Sequence, residues 1–411
     1  MPRCTETALD LVLTGPNIVL VNPRLLMPMS RKTDIAQFDH FIPIGTSRLI
    51  DTLEKSGLTP QQVQVIHKLK RVITFQFSEK LIHLKRVYQP FNPDRELLLG
   101  DAYTSDSAPC VAYIKGLLSA ANYTELNRQQ IEYALEKSSP YGLDVKIDFD
   151  RFEHVSLFYR AKSQRSVKVR DWKTLYLKKR TVSLIRYQRI FLLLQYQDKQ
   201  KRPGIHLKLF KDILRPDLEM LFPECKIRMK AFDKLKLAIT GGGGTAGGLV
   251  ATIGKLTAAV NPWAIVMAVA GFAALIWRQI NKVFMQKTRY MASLAQNLYF
   301  NNLDNNAGAV TYLVDLARQE EIKETILAYA ILNLQTVKDP AQLDSACEQW
   351  LVEKFDSAVD FDINDALRKL DGFDMIKDDA AGLCTRPAEE ILPMLDKQWG
   401  AYIEQPERDW L

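Results

Sequence analysis

Cysteine is scarce in this chain. Only five occur among 411 residues, at Cys4, Cys110, Cys225, Cys347 and Cys384, odd in number and without a C-x-x-C pair. That excludes a disulfide framework or a zinc ribbon and predicts reduced, buried thiols. Histidine is equally rare: His40, His67, His83, His154 and His206 share no ligand spacing, and no H-E-x-x-H occurs. No metal site is expected and no cofactor either. Low complexity is missing too, since 47% of residues are hydrophobic and 25% charged, which is the composition of a folded protein of two or three units at about 100–200 residues each. The first 36 residues hold no apolar core of about 7–15 residues, so no signal peptide is expected. Pro2, Pro16, Pro23 and Pro28 interrupt them, and Glu6 and Asp10 count against a mitochondrial presequence. They read as a loosely ordered arm, 1–36.

The charge lacks balance along the chain. Residues 1–300 hold 45 Lys and Arg against 25 Asp and Glu, whereas residues 301–411 hold 10 against 23. One end is basic and the other acidic, so any role for nucleic acid belongs before residue 300.

Within 37–140, Val63, Ile66, Leu69, Ile73, Phe77, Leu81, Leu84 and Tyr88 recur at steps of three and four. This predicts a long amphipathic helix over 60–88, ended by Pro90 and Pro93. Shorter helices are expected near 110–122 and 127–138, the latter capped by Asn127. At Gly142 the period becomes two: Leu143, Val145, Ile147 and Phe149 alternate with polar residues, as do Val155, Leu157 and Tyr159, and Ile205, Leu207 and Leu209. With the apolar run 190–194 and residues 226–229, this predicts a basic α+β domain over 141–235 with a sheet of four or five strands, followed by a short helix after Pro216.

Residues 237–254 and 256–277 carry no charge, 18 and 22 residues separated by Lys255. At 1.5 Å per residue they reach about 27 and 33 Å, near the ~30 Å of a bilayer core. Asn261 and Pro262 supply a turn, so the expectation is a two-helix transmembrane hairpin over 236–285, with helices at 237–259 and 262–284. Lys226, Arg228, Lys230, Lys234 and Lys236 precede it and Arg278, Lys282, Lys287 and Arg289 follow, placing both ends on the cytoplasmic side. Gly243 and Gly247, Gly244 and Gly248, Ala264 and Ala268, and Ala270 and Ala274 would form the small-residue faces of helix packing in lipid. Lys255 would snorkel to the far interface or mark a functional site. A buried core hairpin in a soluble protein is the alternative.

Other local signatures fail. Gly254-Lys255 lacks the first glycine and the Ser or Thr of a phosphate loop, having Leu249 and Leu256 there. Asp360-x-Asp362-x-Asn364 has Asp365 where a calcium loop needs glycine, and instead predicts acidic capping of a helix. The elbow-like Gly45-Thr46-Ser47-Arg48 has Leu49 in place of its second glycine. No catalytic residue is assigned. Residues 160–202 hold 14 Lys and Arg with only Asp171 and Asp198 as acids. Beside a membrane, Arg165, Lys168, Arg170, Lys173, Lys178, Lys179 and Arg180 would contact anionic headgroups. In solution the same stretch could grip nucleic-acid phosphates, though nucleic acid is not the expected partner, or it is a solvated sheet edge.

After a helical connector at 286–335, the acidic end 336–411 opens with Asp339-Pro340 and reads as helix, helix and two-stranded wing, a winged-helix-like pattern. Asp362, Asp365 and Asp371 on its second helix would repel DNA, so a protein partner is expected there. The polar segment 296–306, with Tyr299, Asn301, Asn302, Asp304, Asn305 and Asn306, is either a helix-linking loop or a ligand or ion site.

The run LEMLFP at 218–223, Arg228-Met229, Asp233-Lys234-Leu235-Lys236, GGGGTAGG at 241–248, Asn261-Pro262-Trp263 and above all YMASLAQNLYFNNLDNNAG from Tyr290 resemble the family named for domain of unknown function 3754. The likeness extends over roughly 36–400. It implies a membrane protein, as in the animal member called transmembrane protein 143, and no chemistry. The combined expectation is an integral membrane α+β protein, a membrane-anchored interaction or scaffold protein that contacts membrane lipids and recruits a protein through its acidic end. The alternative is a membrane-associated enzyme or ion pathway built on 296–306.

Overall fold

This computed structural model describes residues 36–37, 40–95, 106–131, 143–170, 179–197, 204–222, 226–229, single helical positions between 263 and 296, and residues 298–379 and 382–404. The N-terminal helices are α1 (Thr46–Glu54), α2 (Pro60–Tyr88) and α3 (Ala108–Ala120). α2 spans the residues that the periodicity outlined. Thr59 and Gln62 close a capping box at its start, with Pro60 in the first turn, where a missing N–H costs nothing. Asn127 caps the next helix by accepting from the Gln130 amide at 2.7 Å, and residues 132–138 lie outside the described residues.

The strands are β1 (Ala36–Gln37), β2 (Thr124–Leu126), β3 (Leu143–Lys146), β4 (Phe152–Arg170), β5 (Lys179–Tyr196), β6 (Ile205–Leu214), β7 (Lys226–Met229) and β8 (Asn302–Asn305). The main sheet runs β1-β4-β5-β6-β8, with β2 also on β4, and its pairings are antiparallel. β5 is central because it is apolar on both faces. Phe191 and Leu193 join the large core under the helices, while Ile190, Leu192 and Leu194 join a smaller cluster on the opposite face. Two expectations change here. Residues 226–229 pair with β3 in a separate two-stranded sheet, and the main sheet is completed by β1, β2 and β8, short strands with too few residues for a period to register. The segment after Pro216 is a 3-10 turn, Arg215–Leu221.

The C-terminal part holds α4 (Asn306–Leu334), α5 (Pro340–Phe355), α6 (Ile363–Gly372), a hairpin of β9 (Ile376–Asp379) and β10 (Gly382–Thr385), and α7 (Ala388–Glu404). Asp339 caps α5 through the Gln342 amide, and Asp362 caps α6 through the Asp365 amide, which is the helix-capping use of the acids at 360–365. Twenty of the 29 residues of α4 are buried. It is packed by α1, α2, α3, α5, α6, β6 and β10. The stretch expected to connect is therefore the axis of the molecule, and a single apolar cluster extends from Ile42 to Leu395 around it.

The membrane reading is overturned. Among the described residues no helix is long and apolar enough to cross a membrane, which contradicts the membrane fold class, the transmembrane hairpin and the integral membrane placement with cytoplasmic ends. Residues 237–259, with Gly243, Gly244, Gly247 and Gly248, lie outside the described residues, as do Lys255, Ala264, Ala268 and Ala270. Ala274 is helical and exposed, and so are Trp263, Gly271, Trp277, Arg278, Asn281, Met285, Thr288 and Gln296. The expectation rested on freedom from charge, but glycine and alanine bring little apolar area, and the exposed positions mix Arg278, Asn281, Thr288 and Gln296 with the tryptophans.

Candidate functional site

The polar segment 296–306 does not converge on one point. Tyr299 and Phe300 are 78% and 63% exposed, their rings 5.4 Å apart. Asn301 is helical and half-buried. Asn302, Asp304 and Asn305 belong to β8, paired in turn with Phe210, Leu209 and Lys208 of β6. Asn306 turns inward. Its backbone is left-handed at φ 45°, and its Oδ1 accepts from the Leu207 amide at 3.0 Å and from the Tyr88 hydroxyl at 3.4 Å. Its Nδ2 donates to Asp94 at 2.5 Å. The single Tyr88 proton lies mainly toward the Ile205 carbonyl at 2.8 Å, with Asn306 Oδ1 as its longer second acceptor, and burial pushes its phenol pKa far up. The asparagine thus ties the end of α2 and the 92–95 turn to β6 at the start of α4. Asp304 accepts from the Asn305 amide over the first turn of α4, where Gly308 leaves it room. These groups do structural work.

A second polar cluster, which the sequence did not reveal, lies halfway along α4. Glu320 and Lys323 are 1% and 3% exposed and 2.8 Å apart. Together they hold both backbone groups of Ile42: its amide donates to Glu320 Oε2 at 3.3 Å and its carbonyl accepts from Lys323 Nζ at 2.6 Å. Arg160 of β4 reaches Glu320 at 3.4 Å, and the Phe41 ring lies 4.1 Å from its guanidinium and 5.0 Å from Lys323 Nζ. One turn further, Glu324 accepts from Asn122 at 2.7 Å, and Asn122 also donates to the His40 carbonyl at 2.9 Å. Burial raises the Glu324 carboxyl to about 8, so at neutral pH it is largely protonated. Burial likewise raises Glu320 and lowers Lys323, each opposed by the other's charge. Glu320, Glu321, Lys323 and Glu324 stand in the polar run RQEEIKET at 318–325, within a helix that is apolar on either side of it. Charges spaced so closely ordinarily mark a solvated face; here Ile42 meets Glu320 and Lys323, Lys369 of α6 meets Glu321, and Asn122 meets Glu324.

The basic residues are arranged differently. β6 pairs with β5 only from Arg186 onward, and β1 reaches β4 only at Lys162 and Ser163. Beyond these, Gln164 to Arg170 and Lys179 to Ile185 pair with each other in an unbroken antiparallel register. Among the described residues nothing else pairs with them, so the sheet runs on as a two-stranded ribbon of seven residue pairs, about 23 Å at ~3.3 Å per residue. It carries Arg165, Lys168, Arg170, Lys179 and Arg180, while Lys173 and Lys178 lie outside the described residues.

Among the described residues no group of three or more His, Cys, Asp or Glu side chains could hold a metal ion. Cys110 and Cys347 are buried free thiols, and burial pushes Cys110 up to about 12, which keeps it an unreactive thiol. At the acidic end, Asp344 is raised chiefly by burial and then by Glu348, Asp360 and Asp362, three carboxylates close enough to build a shared negative field.

No solved structure matches the chain. Residues 152–308, from the first residue of β4 to the first turn of α4, match the family model described as Protein of unknown function (DUF3754), a match that singles out no member. Over this segment, under half of the chain, the sequence is similar to the family of domain of unknown function 3754.

Proposed function

We propose that this protein is a non-catalytic scaffold whose basic β4–β5 ribbon contacts anionic lipid headgroups from outside the bilayer and whose acidic end receives a protein partner. The observation that carries the reading is the overhang of the ribbon: five cations sit on two strands that continue past both neighbours in the sheet. At about 1 kcal/mol per cation near an anionic surface, the two or three cations that share one face of the ribbon supply about 2–3 kcal/mol, which suits weak, reversible docking without a membrane span. The inward use of Asn306 and the strand pairing of Asn302, Asp304 and Asn305 engage these side chains and strands within the fold, which supports a non-catalytic reading of 296–306.

Sedimentation of the full chain with vesicles tests this. Binding to vesicles with about one-quarter phosphatidylserine is expected at low salt, with loss on raising salt and none to neutral phosphatidylcholine. Reversing Arg165 and Lys168 to Glu should weaken binding at least about tenfold while thermal stability stays unchanged. Equal binding to neutral vesicles, indifference to the reversal, or tighter binding to duplex DNA than to vesicles would each refute the proposal.

A further inference from the structure

The sheet face beneath α4 carries a row of three cations. Arg160 of β4 is directly opposite Arg189 of β5, which is directly opposite Lys211 of β6. Opposed residues of antiparallel strands share a face. Phe158, Phe191 and Leu209, two positions away on the same strands, lie in the cluster under the helices and identify which face it is. Like charges placed opposite one another destabilise a sheet, so this row calls for a counter-charge.

The protein supplies little. Glu320 is the carboxylate nearest Arg160, and it already serves Lys323 and the Ile42 amide. Arg189 and Lys211 meet no carboxylate among the described residues. Arg189 uses one guanidinium nitrogen on the neighbouring Gln188 carbonyl at 2.9 Å. Three buried groups of this region have no partner there: Arg160 Nε, Arg189 Nε and the Tyr123 hydroxyl. The Tyr123 ring lies 5.3 Å from the Arg160 guanidinium. Burial raises its phenol to about 12, with Arg160 and Arg189 both pulling the other way, as two guanidinia near one hydroxyl must. Unpaired buried donors cost about 1–3 kcal/mol each, so a site that keeps three of them suits an acceptor from outside.

We propose that Arg160, Arg189, Lys211 and the Tyr123 hydroxyl form a seat for a small oxyanion of the phosphate class. Arginine forks and a phenol are the donors that a tetrahedral oxyanion takes at several oxygens at once. Arg160 is buried while Arg189 and Lys211 are half-buried, so the seat opens on the β5–β6 side. It lies inside the point where the ribbon begins and is independent of the ribbon's role. The phosphate could be free or the end of a phosphomonoester lipid, since both present the same oxygens.

Thermal unfolding of the full chain in inorganic phosphate, against chloride of equal ionic strength, is the test. Phosphate in excess over its Kd should raise Tm by at least about 2 °C beyond chloride. Arg189→Gln and Lys211→Gln should lose most of that rise, and Tyr123→Phe part of it. Because Arg189→Gln removes a charge opposite Arg160, it should unfold without phosphate at a Tm no lower than that of the wild type, a result that a merely structural arginine would not give. The ribbon variant Lys168→Glu should keep the full phosphate response. Calorimetric titration with inorganic phosphate and with a short-chain soluble phosphatidic acid then separates the two sources: heat from either supports the seat and names its occupant. A wild type stabilised no more by phosphate than by chloride, an undiminished response in both Arg189→Gln and Lys211→Gln, or loss of the response in Lys168→Glu would overturn it.

Discussion

Glu324 shows how one buried carboxyl links stability to pH. The folded protein holds its proton to about pH 8, while the unfolded chain releases it in the ordinary glutamate range. The stability it contributes is therefore full below that range and is lost as pH rises through 8. Glu324→Gln keeps an acceptor for Asn122 without the ionisation, so at pH 9 the variant is expected to be more stable than the wild type by about 1–3 kcal/mol, and level with it at pH 5. Urea titrations at the two pH values measure this, and a pH-independent difference would refute it. Asn306 works in the opposite sense. Its side chain completes the Leu207 amide in the interior and holds Asp94, and asparagine tolerates a left-handed backbone better than most residues. Asn306→Ala leaves the amide unpaired and the backbone strained, for an expected loss of about 2–4 kcal/mol in chemical denaturation.

At the scale of elements, caps and turns fall where the residue chemistry put them. Asn127, Asp339 and Asp362 each mark a helix start that the structure reproduces through a side-chain bond to an amide, and Thr59 with Gln62 adds a capping box at α2 beyond the caps expected from sequence. Asp339→Ala should cost about 1 kcal/mol, read from the urea midpoint. The turn between β9 and β10 makes a stricter demand. Gly382 sits at φ 121°, and a Cβ there would approach the Val337 carbonyl oxygen to 2.5 Å and Lys338 Cα to 2.7 Å. Both atoms belong to backbone, which gives way less than a side chain, so Gly382→Ala should destabilise by about 2 kcal/mol or more. By contrast, β1, β2 and β8 were not legible. Two to four residues cannot display a period, and these strands exist because an edge of the sheet offers them partners.

For the whole molecule, α4 decides the organisation. Leu370, Ile391 and Leu395 from the acidic end share its cluster with Leu49, Ile66 and Ile114 from the N-terminal helices. Lys68 of α2 pairs with Asp396 of α7 at 2.5 Å. Residues 336–411 expressed alone would lose that helix and most of their apolar bed. We expect circular dichroism of the fragment to show little cooperative melting, whereas the region around α4 in the full chain unfolds in a single transition. A fragment with a sharp melt of its own would show that the C-terminal helices do not depend on α4.

By itself the sequence determined what short-range chemistry can determine: the amphipathic α2, the apolar centre of β5, the helix caps and the likeness to a family. Each is written within a few residues of itself, where periodicity and capping act. The tertiary structure alone decided which charges are interior. It set Arg160 opposite Arg189 and Arg189 opposite Lys211, and closed residues 40–44 over Glu320 and Lys323, nearly 280 positions away. The sequence places charge along a line, but the worth of a charge depends on the water, the opposite charges and the backbone groups around it, and those are assembled only when distant segments meet.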